Sequence, residues 1–419
     1  MIDENHDSGE MFRRFERMSG SWNSDTICAG TRIDWQPVLA GLLEQIEIEP
    51  PLQEIVDKLS RGERLTKSDG LFLFDYDDLD AIGQIADAVK ISRYGERAFF
   101  NHNVHVNQTN ICVLSCKFCA FRRGRKASDA YAHDIDDFLE ILRHYAPHVD
   151  EVHSVGGLHP DWDIEYYEKL FSAIKKEFPH LHIKALTAVE VKHISNISQL
   201  TVAETLRRLQ HSGLGSLPGG GAEILNDSIR DIICKGKETS QEYLDIHRTA
   251  HAIGMPTNCT MLFGTIESAV HRVEHLLSLR GLQDQTSGFQ CFVPYPYLPD
   301  SSRLPEAQLA TGSEILRVIA ISRILLDNIP HIKAYRMNLG DGISELALSF
   351  GADDIDGTVQ QESIMHLAGS TAPLDHDREQ LSRLIRDAGC IPVQRNSIYT
   401  LFSEYQTPVK KSWRLPMAR

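Results

Sequence analysis

The sequence predicts an α/β protein whose body is a closed (β/α)8 TIM-type barrel, preceded by a helical leader and followed by a C-terminal cap. Eight short apolar or β-branched runs alternate with amphipathic helical segments, the pattern of repeated strand-helix units around a parallel sheet. At 419 residues the chain is long enough for one such barrel with additions. The helices between the runs also have readable ends, which fixes where each strand must stop.

Residues 1–30 are polar and lack a sustained apolar period, so a flexible extension is expected there. Over 31–97 the apolar residues recur at helical spacing, as in Leu39, Leu42, Leu43, then Leu52, Val56, Leu59, then Leu79, Ile82, Ile85. The barrel is expected over 98–375, with strands at AFFNHNVHV, EVHSVG, HIKALTA, LGSLPG, TNCTMLFG, GFQCFVPY, HIKAYRM and DDIDGT. Thr201 with Glu204 and Thr239 with Glu242 form capping boxes, and Gly213 and Gly254 stop the helices that follow. The cap, 376–419, carries an amphipathic helix through Leu381, Leu384 and Ile385 and an extended piece, IPVQR.

Composition narrows the function. Hydrophobic residues at 42% and charged residues at 24% describe an ordinary soluble globular protein. No run reaches the length of a membrane span, and the first twenty residues are too polar for a signal peptide. A cytoplasmic place is expected. A net charge of -15 argues against a nucleic-acid surface and favours small-molecule chemistry.

Eight cysteines, three of them in the run TNICVLSCKFCAF, point to reduced thiols and a metal cluster over a disulfide framework. Cys112, Cys116 and Cys119 can ligate three irons of a 4Fe-4S cluster and leave the fourth without a protein ligand. A structural zinc site needs four closed ligands, and a ferredoxin needs a fourth nearby cysteine. Cys28, Cys234, Cys259, Cys291 and Cys390 are scattered singly and supply neither.

The remaining candidates stand at the carboxyl ends of the expected strands, where a barrel keeps its active site. Gly156 and Gly157, in GGLHPDW, let backbone approach a ligand closely or simply make a turn. His159, two residues on, reaches either a cofactor or solvent. Glu190 either accepts hydrogen bonds from a cofactor's hydroxyls, acts as a base, or serves as a charge at a helix start. Gly219, Gly220 and Gly221 before Glu223 form an anion-binding turn or a tight turn without ligand. Arg122 and Arg123 pair with an anionic substrate or sit in solvent, and His247 and His251 are surface or packing residues, since H-E-x-x-H is absent.

The C-x3-C-x2-C spacing with Phe118 before the last cysteine resembles the cluster loop of the radical S-adenosylmethionine enzymes. More narrowly, NHNVHVNQTNICVLSCKFCAF, GGLHPDWDIEYYEKLF, IKALTAVEV, GLGSLPGGGAEIL, ICKGKETSQEYLDIHRTAHAIGMPTNCTML and FGADDIDGTV are similar to the aminofutalosine synthase family, over about residues 55–370. The resemblance implies two cofactors, a 4Fe-4S cluster on Cys112, Cys116 and Cys119 and S-adenosylmethionine consumed as a co-substrate. It implies that the 5'-deoxyadenosyl radical adds to the enol ether of 3-[(1-carboxyvinyl)oxy]benzoate, giving 6-amino-6-deoxyfutalosine, methionine and hydrogencarbonate on the route to menaquinone.

By position the resemblance assigns Gly156 and Gly157 to the cofactor; His159, Glu190 and Gly220 are cofactor-binding candidates on the reading of the residues above. The resemblance matches Glu190 and Glu223 to acidic positions at the mouth; together with Arg336, which it does not assign, they are the catalytic candidates, their roles open. It implies a small anionic enol-ether substrate and an external one-electron reductant such as flavodoxin or ferredoxin. Thr265, the run Tyr295–Tyr297, and Arg336 with Asn338 depart from the family pattern at three strand ends, which leaves the acceptor open. A paralogue acting on another enol ether, the related futalosine cyclase, and the deazaflavin synthase subunit are the neighbouring enzyme readings. A non-catalytic iron-sulfur carrier or redox sensor is the reading from another class.

Overall fold

The structure is a computed structural model describing residues 30–32, 35–299 and 303–406. The expected flexible extension lies outside the described residues except for Gly30, as does the end of the cap beyond residue 406.

The leader is helical as its spacing predicts, with helices at Trp35–Leu43, Gln53–Ser60, Lys67–Asp75 and Leu79–Tyr94. Leu39, Leu43, Leu52, Val56, Leu59, Ile82 and Ile85 are all buried, so the apolar stripe faces the main core. The last of these helices packs against Gly312–Leu325 on the outside of the barrel.

The strands are β1 (Arg97–Asn101), β2 (Asn103–His105), β3 (Glu151–Ser154), β4 (His182–Ala185), β5 (Leu214–Ser216), β6 (Thr257–Phe263), β7 (Phe289–Pro296), β8 (His331–Ile332), β9 (Asp354–Gly357), β10 (Ile391–Arg395) and β11 (Phe402–Glu404). β1 and β2 are two halves of the single expected first strand, interrupted at His102. Parallel pairing runs through β2, β3, β4 and β5, then through β6, β7 and β8. Parallel bridges at Leu217 with Thr257 and at Lys333 with Asp354 join the segments, and β9 pairs with β1. The His105 amide donates to Val359 O at 2.9 Å, which completes the closure of an eight-stranded barrel.

The seventh strand is shorter than expected. HIKAYRM forms only the two residues of β8; Lys333 turns inward to Asp354 and Asp356, and Arg336 opens a short helix, Arg336–Leu339. In the cap, the helix Arg378–Asp387 precedes β10, which lies parallel to β1, with β11 antiparallel beyond it. The turn between β10 and β11 reaches into the barrel: Lys184 Nζ donates to Ser397 O at 3.2 Å and Gln290 Nε2 to Ile398 O at 2.6 Å.

Side chains alternate across each strand, so every second residue points into the barrel. The inward set is unusually polar. Lys184 meets Glu151 at 3.0 Å, Lys333 meets Asp356 at 2.5 Å, and Arg395 meets Asp354 at 2.5 Å, all buried. Ionised groups so far from water persist only when paired. Lys333 and His105 hold the Asp356 carboxyl far below its ordinary range against the opposing effect of burial. Among the described residues no helix is long and apolar enough to cross a membrane.

Candidate active site at the barrel mouth

Both capping boxes expected from sequence, at Thr201 with Glu204 and at Thr239 with Glu242, are present. Gly213 and Gly254 follow with positive φ of 119° and 75°. His247 and His251 prove to be packing residues: both are buried, and His247 Nδ1 and His251 Nε2 each stand 2.8 Å from Thr257 Oγ1.

The cysteine loop leaves β2 and is tied down by backbone. The Cys112 amide donates to Arg123 O at 3.1 Å, Arg123 N to Asn110 O at 2.7 Å, and Cys119 N to Cys116 O at 3.3 Å. Arg123 also grips Asp129 and the Ala120 carbonyl, so it staples the loop and is not free for substrate. Arg122 reaches Cys112 O at 3.4 Å. Burial pushes the Cys116 thiol up to about 12 despite the nearby Lys237, so the metal-free side chain keeps its proton, which ligation would displace. Among the described residues no three His, Cys, Asp or Glu side chains converge as a single-ion site requires. A cluster takes one thiolate per iron and does not ask the sulfurs to meet at a point.

The glycine pair explains how the loop sits on the barrel. Gly157 N donates to Thr109 O at 2.8 Å and Val113 N to Leu158 O at 3.1 Å, which laces the end of β3 to the cysteine loop. A Cβ on Gly157 would lie 2.2 Å from Ile111 O, and one on Gly156 would lie 2.8 Å from Thr109 O. Neither position admits a side chain without moving backbone. His159 completes this turn: its Nδ1 accepts from Asp161 N at 3.2 Å and its ring stacks on Trp162 at 4.4 Å.

Glu190 is buried as the third residue of the helix Ala188–Ile197 and makes a capping box with Thr187. Its Oε1 accepts from the Gly156 amide at 3.0 Å and from Gln108 Nε2 at 2.9 Å; its Oε2 accepts from Thr187 N and Oγ1, both at 2.7 Å. Burial raises its pKa despite these four donors. The arrangement makes Glu190 a brace between the glycine pair and the next loop. Gly220 then abuts Thr187, and its carbonyl accepts from Ala188 N at 3.2 Å. Gly219, at φ 89°, lies where a Cβ would be 2.3 Å from Asn258 O.

Glu223 closes the ring through an ion pair with Lys237, whose ammonium also lies 5.8 Å over the Phe118 ring in the cysteine loop. Lys237 and Arg303 have no local signal as site residues in the sequence. Arg303 Nη2 donates to Ser115 O at 2.9 Å and Cys116 O at 3.2 Å, and Lys117 N donates to Ile233 O at 2.7 Å. The mouth is therefore a continuous circuit from the cysteine loop through Gly157, Glu190, Gly220 and Glu223 back to Phe118.

Below the circuit, inside the barrel, a cavity is lined by His105, Lys184, Tyr295, Lys333, Tyr335 and Asp356, among others. Arg336, next in the chain to the lining residue Tyr335, is buried, with Nη1 on Asp341 at 3.2 Å and Pro373 O at 2.9 Å, while Nε and Nη2 find no partner among the described residues. Of the three departures from the family pattern, Tyr295 lines the cavity; Thr265 instead donates to Glu267 at 2.6 Å and belongs to a buried cluster with Arg272.

This geometry is matched by likeness to known proteins. Residues 106–279 match the Radical SAM superfamily, and residues 286–408 match the CofH/MqnC C-terminal region. Over 356 residues the chain is 40% identical to the aminodeoxyfutalosine synthase of Thermus thermophilus, covering 84% of this chain and 96% of that one. The chain belongs to the radical SAM superfamily. It is also 40% identical over 356 residues to the cyclic dehypoxanthine futalosine synthase of Streptomyces coelicolor, covering 83% of this chain and 88% of the relative. The crystal structure of methylornithine synthase shares the fold at a TM-score of 0.66 and 18% identity, over 81% of this chain and 97% of that one. The protein is thus a radical SAM enzyme on a TIM-type barrel, and its cofactors are a 4Fe-4S cluster and S-adenosylmethionine.

Proposed function

We propose that this enzyme joins the 5'-deoxyadenosyl group of S-adenosylmethionine to the enol-ether carbon of 3-[(1-carboxyvinyl)oxy]benzoate, yielding 6-amino-6-deoxyfutalosine, methionine and hydrogencarbonate for menaquinone biosynthesis in the cytoplasm. The observation that carries this reading is the circuit at the mouth set over a cation-bearing cavity, in a chain whose similarity to aminodeoxyfutalosine synthase spans 96% of that relative. When bound, the cluster on Cys112, Cys116 and Cys119 supplies the electron that cleaves the sulfonium. Gly156, Gly157, His159, Glu190 and Gly220 shape the seat of the methionine and ribose. Here Glu190 acts as a positioning residue, since both of its oxygens are already engaged.

The acceptor carries two carboxylates and one aromatic ring. Tyr295 and Tyr335, edge to face at 5.4 Å, offer ring contacts in the cavity, and Lys184 and Lys333, each paired with a buried carboxylate, present ammonium donors at its wall. Arg336 has two unspent donors, the fork that suits a carboxylate. Glu223, neutralised by Lys237, holds the Gly219–Gly221 turn against the cysteine loop.

The test is anaerobic reduction with S-adenosylmethionine and 3-[(1-carboxyvinyl)oxy]benzoate, followed by mass detection of aminofutalosine. Cofactor cleavage without that adduct would overturn the acceptor, and no cleavage at all would overturn the enzyme reading. A second reading has the radical act on dehypoxanthine futalosine, because the cyclic dehypoxanthine futalosine synthase stands at the same 40% identity. A product of unchanged adenosyl content, with deoxyadenosine released, would mark it.

A further inference from the structure

β2 and β3 pair in parallel with His105 opposite His153, so the alternation that sends Val104 and Val152 outward turns both imidazoles into the barrel. Their rings stack at 4.2 Å on the wall of the cavity, 28° from parallel, and Tyr335 lies nearly parallel to His105 at 6.4 Å. His105 Nε2 stands 3.4 Å from Asn103 Nδ2 and 3.9 Å from Asp356 Oδ2. Neither nitrogen of His153 has a hydrogen-bond partner among the described residues.

Among the described residues the charged side chains on the cavity wall are Lys184, Lys333, Asp356 and Glu362, two cations against two anions. Each is already engaged. Lys184 meets Glu151 at 3.0 Å and Lys333 meets Asp356 at 2.5 Å. Glu362 accepts from the amides of Ile364 and Met365, both at 2.8 Å, and lies 3.2 Å from His366 Nδ1. An acceptor with two carboxylates brings two negative charges to this balanced wall. The unspent donors of Arg336 answer one of them, and the other meets no spare cation on the wall. A buried anion persists only with a countercharge.

His105 and His153 are the wall groups whose ordinary value, near 6.5, lets them gain a proton close to neutrality. Burial keeps both below that value, so with no further anion beside them they are neutral near pH 7. Asp356, Glu362 and Glu151 pull His105 the other way, opposed by Lys333; His153 feels Glu151 and Asp356 against His105 and Lys184. A carboxylate arriving within about 4–6 Å raises such a group by about 1–3 pH units, enough to carry His105 through neutrality.

We propose that the stacked His105–His153 pair takes up a proton from solvent as the acceptor binds, His105 carrying the charge, and that this imidazolium is the countercharge of the acceptor's second carboxylate. Asp356 Oδ2, 3.9 Å from His105 Nε2, is placed to steady it. The cavity thereby selects a dianion although its own charges cancel. This inference rests on the acceptor reading above, and the experiment separates the two.

The test is calorimetric titration of the reconstituted enzyme with 3-[(1-carboxyvinyl)oxy]benzoate in two buffers of different ionisation heat. The cluster is kept oxidised and S-adenosylmethionine is bound, so binding is read without turnover. At about pH 7 the buffer dependence should report uptake of roughly half a proton or more per acceptor, and affinity should fall about three-fold or more per pH unit as pH rises. His105→Gln should bring the uptake close to zero, weaken binding about ten-fold at about pH 6.5 and leave it nearly unchanged at about pH 8.5. A side chain that only shaped the wall would weaken binding equally at both. Wild-type binding without proton uptake, uptake retained in His105→Gln, or an equal loss at both pH values would each overturn the proposal, and the first of these needs no variant. Failure of the acceptor to bind in either buffer would overturn the acceptor itself, and the role of the pair with it.

Discussion

At the mouth of the barrel, Gly157 donates to Thr109 O and Val113 to Leu158 O, and bare glycine backbone lies against the cysteine loop. Deeper inside, Lys184, Lys333 and Arg395 face Glu151, Asp356 and Asp354 in direct, buried ion pairs. The first region is held by the main chain, so a side chain lost there removes function and leaves the fold. The second is held by charge, and one partner lost leaves the other buried and unpaired. The difference separates what the enzyme needs to react from what it needs to stand.

The largest expected effect breaks the mouth alone. Cys116→Ala should abolish cluster binding, seen as loss of iron and visible absorbance, and with it all S-adenosylmethionine cleavage. The metal-free variant should unfold close to the metal-free wild type. An intact cluster spectrum in the variant would remove Cys116 from the ligands.

Asp354→Asn breaks the interior. Asp354 accepts from Arg395 at 2.5 Å and from Tyr399 Oη at 2.9 Å, so the change strands a buried guanidinium and should cost about 3–5 kcal/mol in denaturant unfolding. Iron per folded molecule should not change. A stability within about 1 kcal/mol of wild type would show that Arg395 finds water or another acceptor there.

Acid should reach the two regions differently. Burial lowers His247 and His275 to about 3, from an ordinary value near 6.5, so both are neutral when folded and take up protons when unfolded. The unfolded state therefore binds more protons over this interval, and stability must fall as pH drops from about 6.5 toward 3. The Asp356 carboxyl, depressed in the fold, adds stability above the unfolded carboxylate range that is lost only below about pH 4. A His247→Gln variant should show a shallower loss between pH 6.5 and 4; an unchanged slope would mean that His247 is solvated when folded.

Gly157→Ala is smaller and more local. The added Cβ meets a backbone carbonyl at 2.2 Å, which no rotamer change relieves, so the loop must shift. Overpacking of this kind costs about 1–3 kcal/mol. The expected result is a cluster that still assembles with a raised KM for S-adenosylmethionine, measured by deoxyadenosine formation in the absence of acceptor; an unchanged KM would detach Gly157 from the cofactor seat.

These contrasts also explain what the sequence could reveal. The cysteine spacing, the glycine pair and the capping boxes are local, so their geometry is carried by neighbours in the chain. The eight strands were legible for the same reason, through alternation with helices. Lys333 with Asp356 and Arg395 with Asp354 are joined across 23 and 41 residues, and no local pattern announces them. Lys237 lies in the plain run ICKGKET, and only the fold sets it over Phe118. HIKAYRM reads as a full strand because its alternation continues past the point where Lys333 turns to its carboxylates.

The smallest effect sharpens the comparison within one motif. Thr187 with Glu190 and Thr201 with Glu204 form the same capping box. Removing either hydroxyl should cost about 1 kcal/mol, the ordinary worth of an N-cap. Glu204, however, lies on an exposed helix end, whereas Glu190 also holds the Gly156 amide and Gln108. Thr201→Ala should thus lower stability and leave turnover alone. Thr187→Ala should lower stability equally and also raise the KM for S-adenosylmethionine, because a looser Glu190 lets Gly156 drift from the cysteine loop. Matching kinetics in the two variants would show that the mouth is held by its backbone contacts alone and that the Glu190 brace is dispensable.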